Sequence, residues 1–189
     1  VFIANETDTP WTHHVMRYSL SHHTLSHVTP ENFDGVALAV SSGGTTLLRT
    51  ASLRDTRVNF SVHTSASTSA EIASFAEKPL VSPNVTIHTV GRRRTPVAIV
   101  TPTHSSDHAT HDRLPVLFDP YGGPHAQRVL AAQSAYLSSQ WFADQGFCVV
   151  IADNRGTPGK GTVYERSVHH DLAGPVLEDQ IEVLDALQE

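Results

Sequence analysis

Cysteine is almost missing from this chain: Cys148 is the single one in 189 residues. One thiol cannot close an intrachain disulfide or build a cysteine metal cluster, and its place in an apolar run marks it as a core residue. No run of about 18 apolar residues occurs, which excludes a transmembrane helix. The opening stretch, Val1 to Glu6, has neither the basic start nor the apolar core of a signal peptide. The span therefore reads as cytoplasmic, with no membrane segment. Positive charge is scarce too, with 13 Lys and Arg against 19 Asp and Glu and a formal net charge of −6. Arg92-Arg93-Arg94 is the one basic run, and aromatics make up only 7% of the chain. Nucleic-acid affinity depends on neutralising phosphates, so nucleic acid is not an expected partner. Also missing is any Gly-x-Ser-x-Gly; Ser41-Ser42-Gly43-Gly44 does not have that pattern.

What remains is ordinary for a globular chain: 39% hydrophobic and 17% charged residues, enough for one domain or parts of two. The chain does not start with Met, opens in a strand-like run and stops at Glu189 in a helix-like run. The expectation is an internal piece of a longer protein. Residues 1 to about 83 are rich in Ser, Thr and His and carry short β-like runs at Val1 to Ala4, His14 to Leu20, Val36 to Val40, Thr45 to Leu53, Arg57 to His63 and Ile72 to Phe75. Such even spacing, punctuated by Gly, Ser, Asn and Asp, predicts an all-β meander, either a sandwich or propeller blades. Thr68-Ser69-Ala70-Glu71 offers a rival reading as a helical capping box. No internal repeat is visible.

A second texture begins near Ser82-Pro83. Asn84 to Val90 and Pro96 to Thr101 alternate like a hairpin, with Arg92-Arg93-Arg94 as a solvated tip. A polar loop from Pro102 to Arg113 follows. Leu114 to Asp119 reads as a buried strand and Ser134 to Gln145 as a helix ended by Gly146. Phe147 to Asp153, continuously apolar, reads as a strand covered on both faces. Leu177 to Glu189 reads as an amphipathic helix, with Leu177, Ile181, Leu184 and Leu187 on one stripe and Glu178 and Asp179 in the first turn. Strand, helix, strand, helix predicts a parallel α/β sheet.

Chemistry concentrates after the strands. Tyr121-Gly122-Gly123-Pro124 lies between a strand and a helix, where glycine lets the backbone approach a reacting group. By itself it is either a tight turn whose tyrosine packs or a loop donating to an oxyanion. Asp153 and Arg155 read as a buried ion pair holding the next turn. The stretch Gly156 to Thr162 fails as a phosphate loop, since Gly161 separates Lys160 from Thr162 and Pro158 lacks an amide hydrogen. The 13 histidines, among them His13-His14, His22-His23 with His27, His104 with His108 and His111, and His169-His170, form no H-E-x-x-H and no repeated spacing. They read as exposed polar residues, and no metal or cofactor is expected.

Asp119-Pro120-Tyr121-Gly122-Gly123-Pro124-His125 resembles the oxyanion loop of the prolyl oligopeptidase family of serine peptidases, in the dipeptidyl peptidase IV branch. Further motifs resemble that family in the same order: Gln140-Trp141-Phe142-Ala143, Gly146-Phe147 through Asp153-Asn154-Arg155-Gly156, Gly159-Lys160-Gly161, and Glu178-Asp179-Gln180-Ile181. A weaker likeness covers His14 to Leu20 and Leu25 to Pro30. The resemblance implies that residues 1–83 are the late blades of a β-propeller and that 84–189 are the start of an α/β-hydrolase domain, cut before its nucleophile. It implies a serine exopeptidase that releases amino-terminal dipeptides with Pro or Ala second. In it Tyr121 is the side-chain oxyanion donor, the substrates are peptides and a homo-oligomer is left open. The serine, acid and histidine of the triad would then lie outside this chain, which alone would be inert. Two alternatives are an acylaminoacyl peptidase or oligopeptidase of the same family, and a non-catalytic binding module on the same scaffold.

Overall fold

Alternating side chains and short polar turns set the architecture of the first part of the chain. The structure, a computed structural model, describes residues 1–30, 32–64, 69–104 and 114–188. It divides into two compact units, Val1–Leu80 with Ala131–Ser134, and Val81–Leu130 with Ala135–Glu189.

In the first unit Phe2–Glu6 (β1) pairs antiparallel with Thr9–Ser19 (β2), and β2 with Thr24–His27 (β3). A four-stranded antiparallel meander follows, of Asp34–Val40 (β4), Thr46–Ala51 (β5), Asn59–His63 (β6) and Ser69–Ile72 (β7), each paired with the next. In β5 the period-two pattern turns Thr46, Leu48 and Thr50 inward, and Leu48 is fully buried. The spacing predicts most of these strands but not β3, and it starts β2 too late. It also predicts a strand running to Phe75, whereas β7 stops at Ile72 and Phe75 lies in solvent. The capping-box alternative is overturned for Ser69 to Glu71, which pair with β6 as a strand; Thr68 lies outside the described residues.

The second unit is built on a four-stranded sheet. Asn84–Val90 (β8) and Thr95–Thr101 (β9) form the expected hairpin. Val116–Phe118 (β10) runs parallel to Cys148–Ala152 (β11), and β11 runs antiparallel to β9, giving the order β10-β11-β9-β8. The sheet is thus mixed rather than parallel throughout. The strand expected at Leu114 to Asp119 is short and half-exposed, because β10 lies at an edge, with β11 as its one neighbour among the described residues. By contrast β11, paired on both edges, is buried from Val149 to Ala152, as its unbroken apolar sequence requires. Cys148 at its start is half-buried, and burial pushes its thiol pKa up. Val97, Val150, Ala152 and Val183 form the core of this unit.

Helical segments depart more from expectation. A 3-10 turn, Gln133–Tyr136, precedes a short helix, Leu137–Ala143 (α1). Gly146 stops it as predicted, with φ of 99° and its N–H on the Ala143 carbonyl. Yet Trp141, 60% exposed, and Phe142 stand edge to face on the outside, while Ser139, Gln140 and Ala143 are buried. Thr162–Arg166 (α2) is a helical turn that the sequence pattern does not announce. The last helix, Gly174–Ala186 (α3), begins earlier than expected, so Glu178 and Asp179 fall past its first turn. Its orientation is also reversed: Leu177, Ile181, Leu184 and Leu187 are exposed, and Asp179, Gln180 and Val183 are buried.

Gln140 shows how a polar side chain serves as core. Its Oε1 accepts the Asn84 N–H at 2.6 Å, and its Nε2 donates to the Thr101 carbonyl at 3.0 Å and to Asp144 Oδ1 at 2.8 Å. One amide thereby ties α1 to the open end of the β8–β9 hairpin. Gln140→Leu keeps the volume but strands these groups, and should cost about 1–3 kcal/mol in urea denaturation. A loss below about 0.5 kcal/mol would show that the bonds are replaced rather than required.

Candidate functional site

Because β10 and β11 are parallel, their carboxyl ends leave the sheet on the same edge. Asp119 and Asp153 stand just past those ends, and Asp119 N–H is still held by the Val150 carbonyl at 2.9 Å. Both glycine turns singled out in the sequence start here. Such an edge, where loops leave parallel strands together, is where α/β sheets present ligand-facing groups.

Tyr121 lies on the loop after β10, 41% exposed. Its Oη makes no hydrogen bond with the described residues, so the phenolic proton is available to an incoming group. The ring folds back over Gly123, where an added Cβ would stand 2.8 Å from the ring carbons. Gly123 therefore has a steric reason to be glycine: any side chain would evict the tyrosine. A Cβ on the neighbouring Gly122 would sit 3.3 Å from Val176 in the first turn of α3, so the loop rests against that helix.

The return of this loop is tied down at its base. Asp153, 3% exposed, accepts the N–H groups of Arg128 at 2.9 Å and Val129 at 3.0 Å, one on each carboxylate oxygen. The Arg128 guanidinium donates to Asp119 at 2.6 Å, and Tyr136 Oη bonds both the N–H and the carbonyl of Leu130 at 2.8 Å. Burial dominates the titration of Asp153 and pushes its pKa up to about 6, against the two amides and the Arg128 charge, which pull it down.

The ion pair expected between Asp153 and Arg155 does not form. Loop amides occupy the Asp153 carboxylate, and Arg155, past the strand end, reaches α3 instead. Arg155 Nε lies 2.9 Å from Asp179 Oδ1, its N–H donates to Asp179 Oδ2 at 2.7 Å, and its terminal nitrogen reaches Glu178 at 2.7 Å and the Pro175 carbonyl at 3.0 Å. Asn154 Oδ1 accepts Gln180 Nε2 at 2.6 Å. The Asn154-Arg155 turn and the Glu178-Asp179-Gln180 segment, far apart in sequence, are thus brought together and bond one another. Nothing in spacing alone could have paired them.

Two further expectations change. Arg92-Arg93-Arg94 is not a free solvated tip: Arg93 bonds Glu182 and lies 3.5 Å from Asp179, while Arg92 extends into solvent. Lys160 donates to the Arg93 and Arg94 carbonyls at 2.8 and 2.9 Å and packs over the Tyr164 ring, with burial lowering its pKa. Tyr164 in turn donates to the Asp153 carbonyl at 2.8 Å, its phenol pKa raised by burial. Lys160 is thus a fastener of the hairpin, in keeping with the rejected phosphate-loop reading. Of the histidines, His13 bonds Asp34 at 2.7 Å and His14 is buried edge to face against His27. His22, His23, His104, His169 and His170 are exposed, and His108 and His111 lie outside the described residues. No cluster of three potential metal ligands occurs among the described residues, and none of their helices is long and apolar enough to cross a membrane.

Comparison with known proteins agrees with the motifs that meet here. The model of the prolyl oligopeptidase family matches residues 133–189, a stretch that holds the Asn154-Arg155 turn and all of α3. Among solved structures the chain is similar to a candidate dipeptidyl aminopeptidase IV from Bacteroides ovatus, with 21% sequence identity and a TM-score of 0.73. The alignment covers 93% of this chain and 26% of that one, so the chain spans about a quarter of the length of the structure it matches. At that identity the likeness is one of fold.

Asp153 gives this edge a measurable pH dependence. Its folded pKa lies above its unfolded value, so between about pH 4 and pH 6 the folded chain holds a proton that the unfolded chain has released. Its contribution to stability is complete at the acid end of that window and falls as pH rises, by about 3 kcal/mol in all. Comparing wild type with Asp153→Asn by urea denaturation at pH 4 and pH 7 should show the wild-type advantage shrinking at pH 7. An advantage that grows with pH would mean that the two amides, not burial, govern this carboxyl.

Proposed function

We propose that this chain is part of a serine peptidase that releases dipeptides from peptide amino termini, and that Tyr121 is the side-chain donor of its oxyanion hole. The observation that carries the reading is the placement of Tyr121: a phenol with no hydrogen-bond partner among the described residues, on a glycine loop at the carboxyl edge of two parallel strands. The family match over residues 133–189 and the fold shared with the Bacteroides ovatus protein support it. On this reading residues 1–83 are late propeller blades, which the two successive antiparallel meanders support, and residues 84–189 begin the α/β-hydrolase domain.

The chemistry assigned to Tyr121 follows from its one free proton. A serine oxygen adds to the scissile carbonyl carbon while its proton passes to a general base, which later delivers it to the leaving amine, and the carbonyl π electrons move to oxygen. The new oxyanion accepts a hydrogen bond from Tyr121 Oη. The charge then re-forms the carbonyl, the amine leaves with a proton and the acyl group stays on the serine. A donor fixed in advance at the position where charge develops is worth about 3 kcal/mol of barrier. The sequence contains no Gly-x-Ser-x-Gly, so the reaction needs a nucleophile from another part of the protein. Substrates of the form X-Pro-peptide or X-Ala-peptide are the class that the motif resemblance assigns.

Tyr121→Phe in the complete gene product should lower kcat for a chromogenic X-Pro substrate about 100-fold, with KM changed less than about threefold. The 189-residue chain alone should show no turnover of that substrate. An unchanged kcat in Tyr121→Phe would remove the oxyanion role, and hydrolysis by the isolated chain would show that a nucleophile lies within it.

A further inference from the structure

The geometry points to Arg128, with Asp119 and Asp153, as a clamp of positioning residues that holds Tyr121 on the sheet edge; this rests on the peptidase reading above. The loop leaves the sheet at Asp119 and returns through Arg128 and Val129. Arg128, at one end of that path, bonds the other end and the neighbouring strand, its guanidinium on Asp119 at 2.6 Å and its backbone N–H on Asp153 at 2.9 Å. Asp153 also takes Val129 N–H and sits at the end of the central strand β11. The loop is therefore closed at its base by one cation and two carboxylates.

The stability of the fold does not account for the outer half of this clamp. Arg128 and Asp119 side chains are 35% and 42% exposed, and an ion pair so placed contributes little to folding. What it does constrain is the loop between its ends, including a tyrosine that no hydrogen bond among the described residues fixes. Catalytic hydrogen bonding is sensitive to such placement, since a misplacement of about 1 Å can cost on the order of 100-fold in rate. Val176 supports the loop from the side of α3 and Gly123 leaves room for the ring, but neither closes its base.

Arg128→Ala opens the exposed half while leaving the backbone amides on Asp153. In the complete gene product it should lower kcat for an X-Pro substrate about tenfold, with KM within about twofold and the melting midpoint within a few degrees. Arg128→Lys should recover part of that loss. The deciding measurement is a double-mutant cycle with Tyr121→Phe. If the clamp acts through the phenol, Arg128→Ala should cost almost nothing once the hydroxyl is gone. Equal losses in both backgrounds would overturn the proposal. If the complete protein hydrolyses no such substrate, the peptidase reading fails and the clamp is judged separately by hydrogen exchange. Faster exchange of the Gly122 and Gly123 amides in Arg128→Ala supports it, and unchanged exchange overturns it.

Discussion

Asp179 is the residue on which the arrangement of the second unit turns. Its carboxylate is fully buried and receives the backbone N–H and the guanidinium of Arg155, with Arg93 at 3.5 Å. A buried carboxylate without partners would cost several kcal/mol, so once Asp179 faces inward these cations must follow it. Their positions then fix three elements at once: the turn after β11 through Arg155, the tip of the β8–β9 hairpin through Arg93, and the rotation of α3 about its own axis. The reversed face of α3 follows from this. Turning its leucine stripe inward would bury more apolar surface, at about 1 kcal/mol for each half-exposed side chain, but would carry Asp179 and Gln180 away from Arg155 and Asn154. Val183 alone supplies the apolar anchor to the core.

A second buried carboxylate, Asp153, works on the opposite side of the same turn. Its ligands are mainly backbone amides, so it fixes a path of chain rather than a helix orientation. The two acids flank Asn154, whose amide donates to the Arg155 carbonyl and accepts from Gln180. The segment Asp153-Asn154-Arg155 is therefore a junction from which one bond set runs to the Tyr121 loop and another to α3. The loop also touches α3 at Val176, so the two sets describe a closed circuit around the sheet edge. Backbone and charge pairing make up most of this circuit, with Val176 as its apolar contact.

How far the sequence disclosed this depends on the range of each interaction. The hairpin β8–β9, the buried strand β11 and the helix stop at Gly146 are written in adjacent residues, through alternation, an apolar run and a positive φ, and all three are present. Strand β3 was hidden because Thr24 to His27 is exposed throughout and carries no apolar alternation. Periodicity misjudged α3 because it counts leucines and cannot see that Asp179 has cations waiting for it. Likewise the pairing of Asp153 with Arg155 was the local choice, two residues apart, and it lost to partners 24 and 25 positions away. The motifs that resemble the family did name both halves of the Arg155 to Asp179 bond, though not that they touch.

Tyr121 shows the same division within one residue. Its conformation is encoded beside it, since the ring occupies the space that a side chain on Gly123 would fill. Its location is encoded elsewhere, in Asp119 and Arg128 at the ends of the loop and in Asp153 on the neighbouring strand. A tyrosine-glycine-glycine turn read alone is thus rightly ambiguous between a packing residue and a donor. Packing would bury the phenol or bond it, whereas here the tyrosine, 41% exposed, lays its ring against Gly123, and no described residue bonds the hydroxyl. A ring placed by its carbon skeleton, with a hydroxyl that no described residue bonds, is the arrangement that the proposed donor role requires.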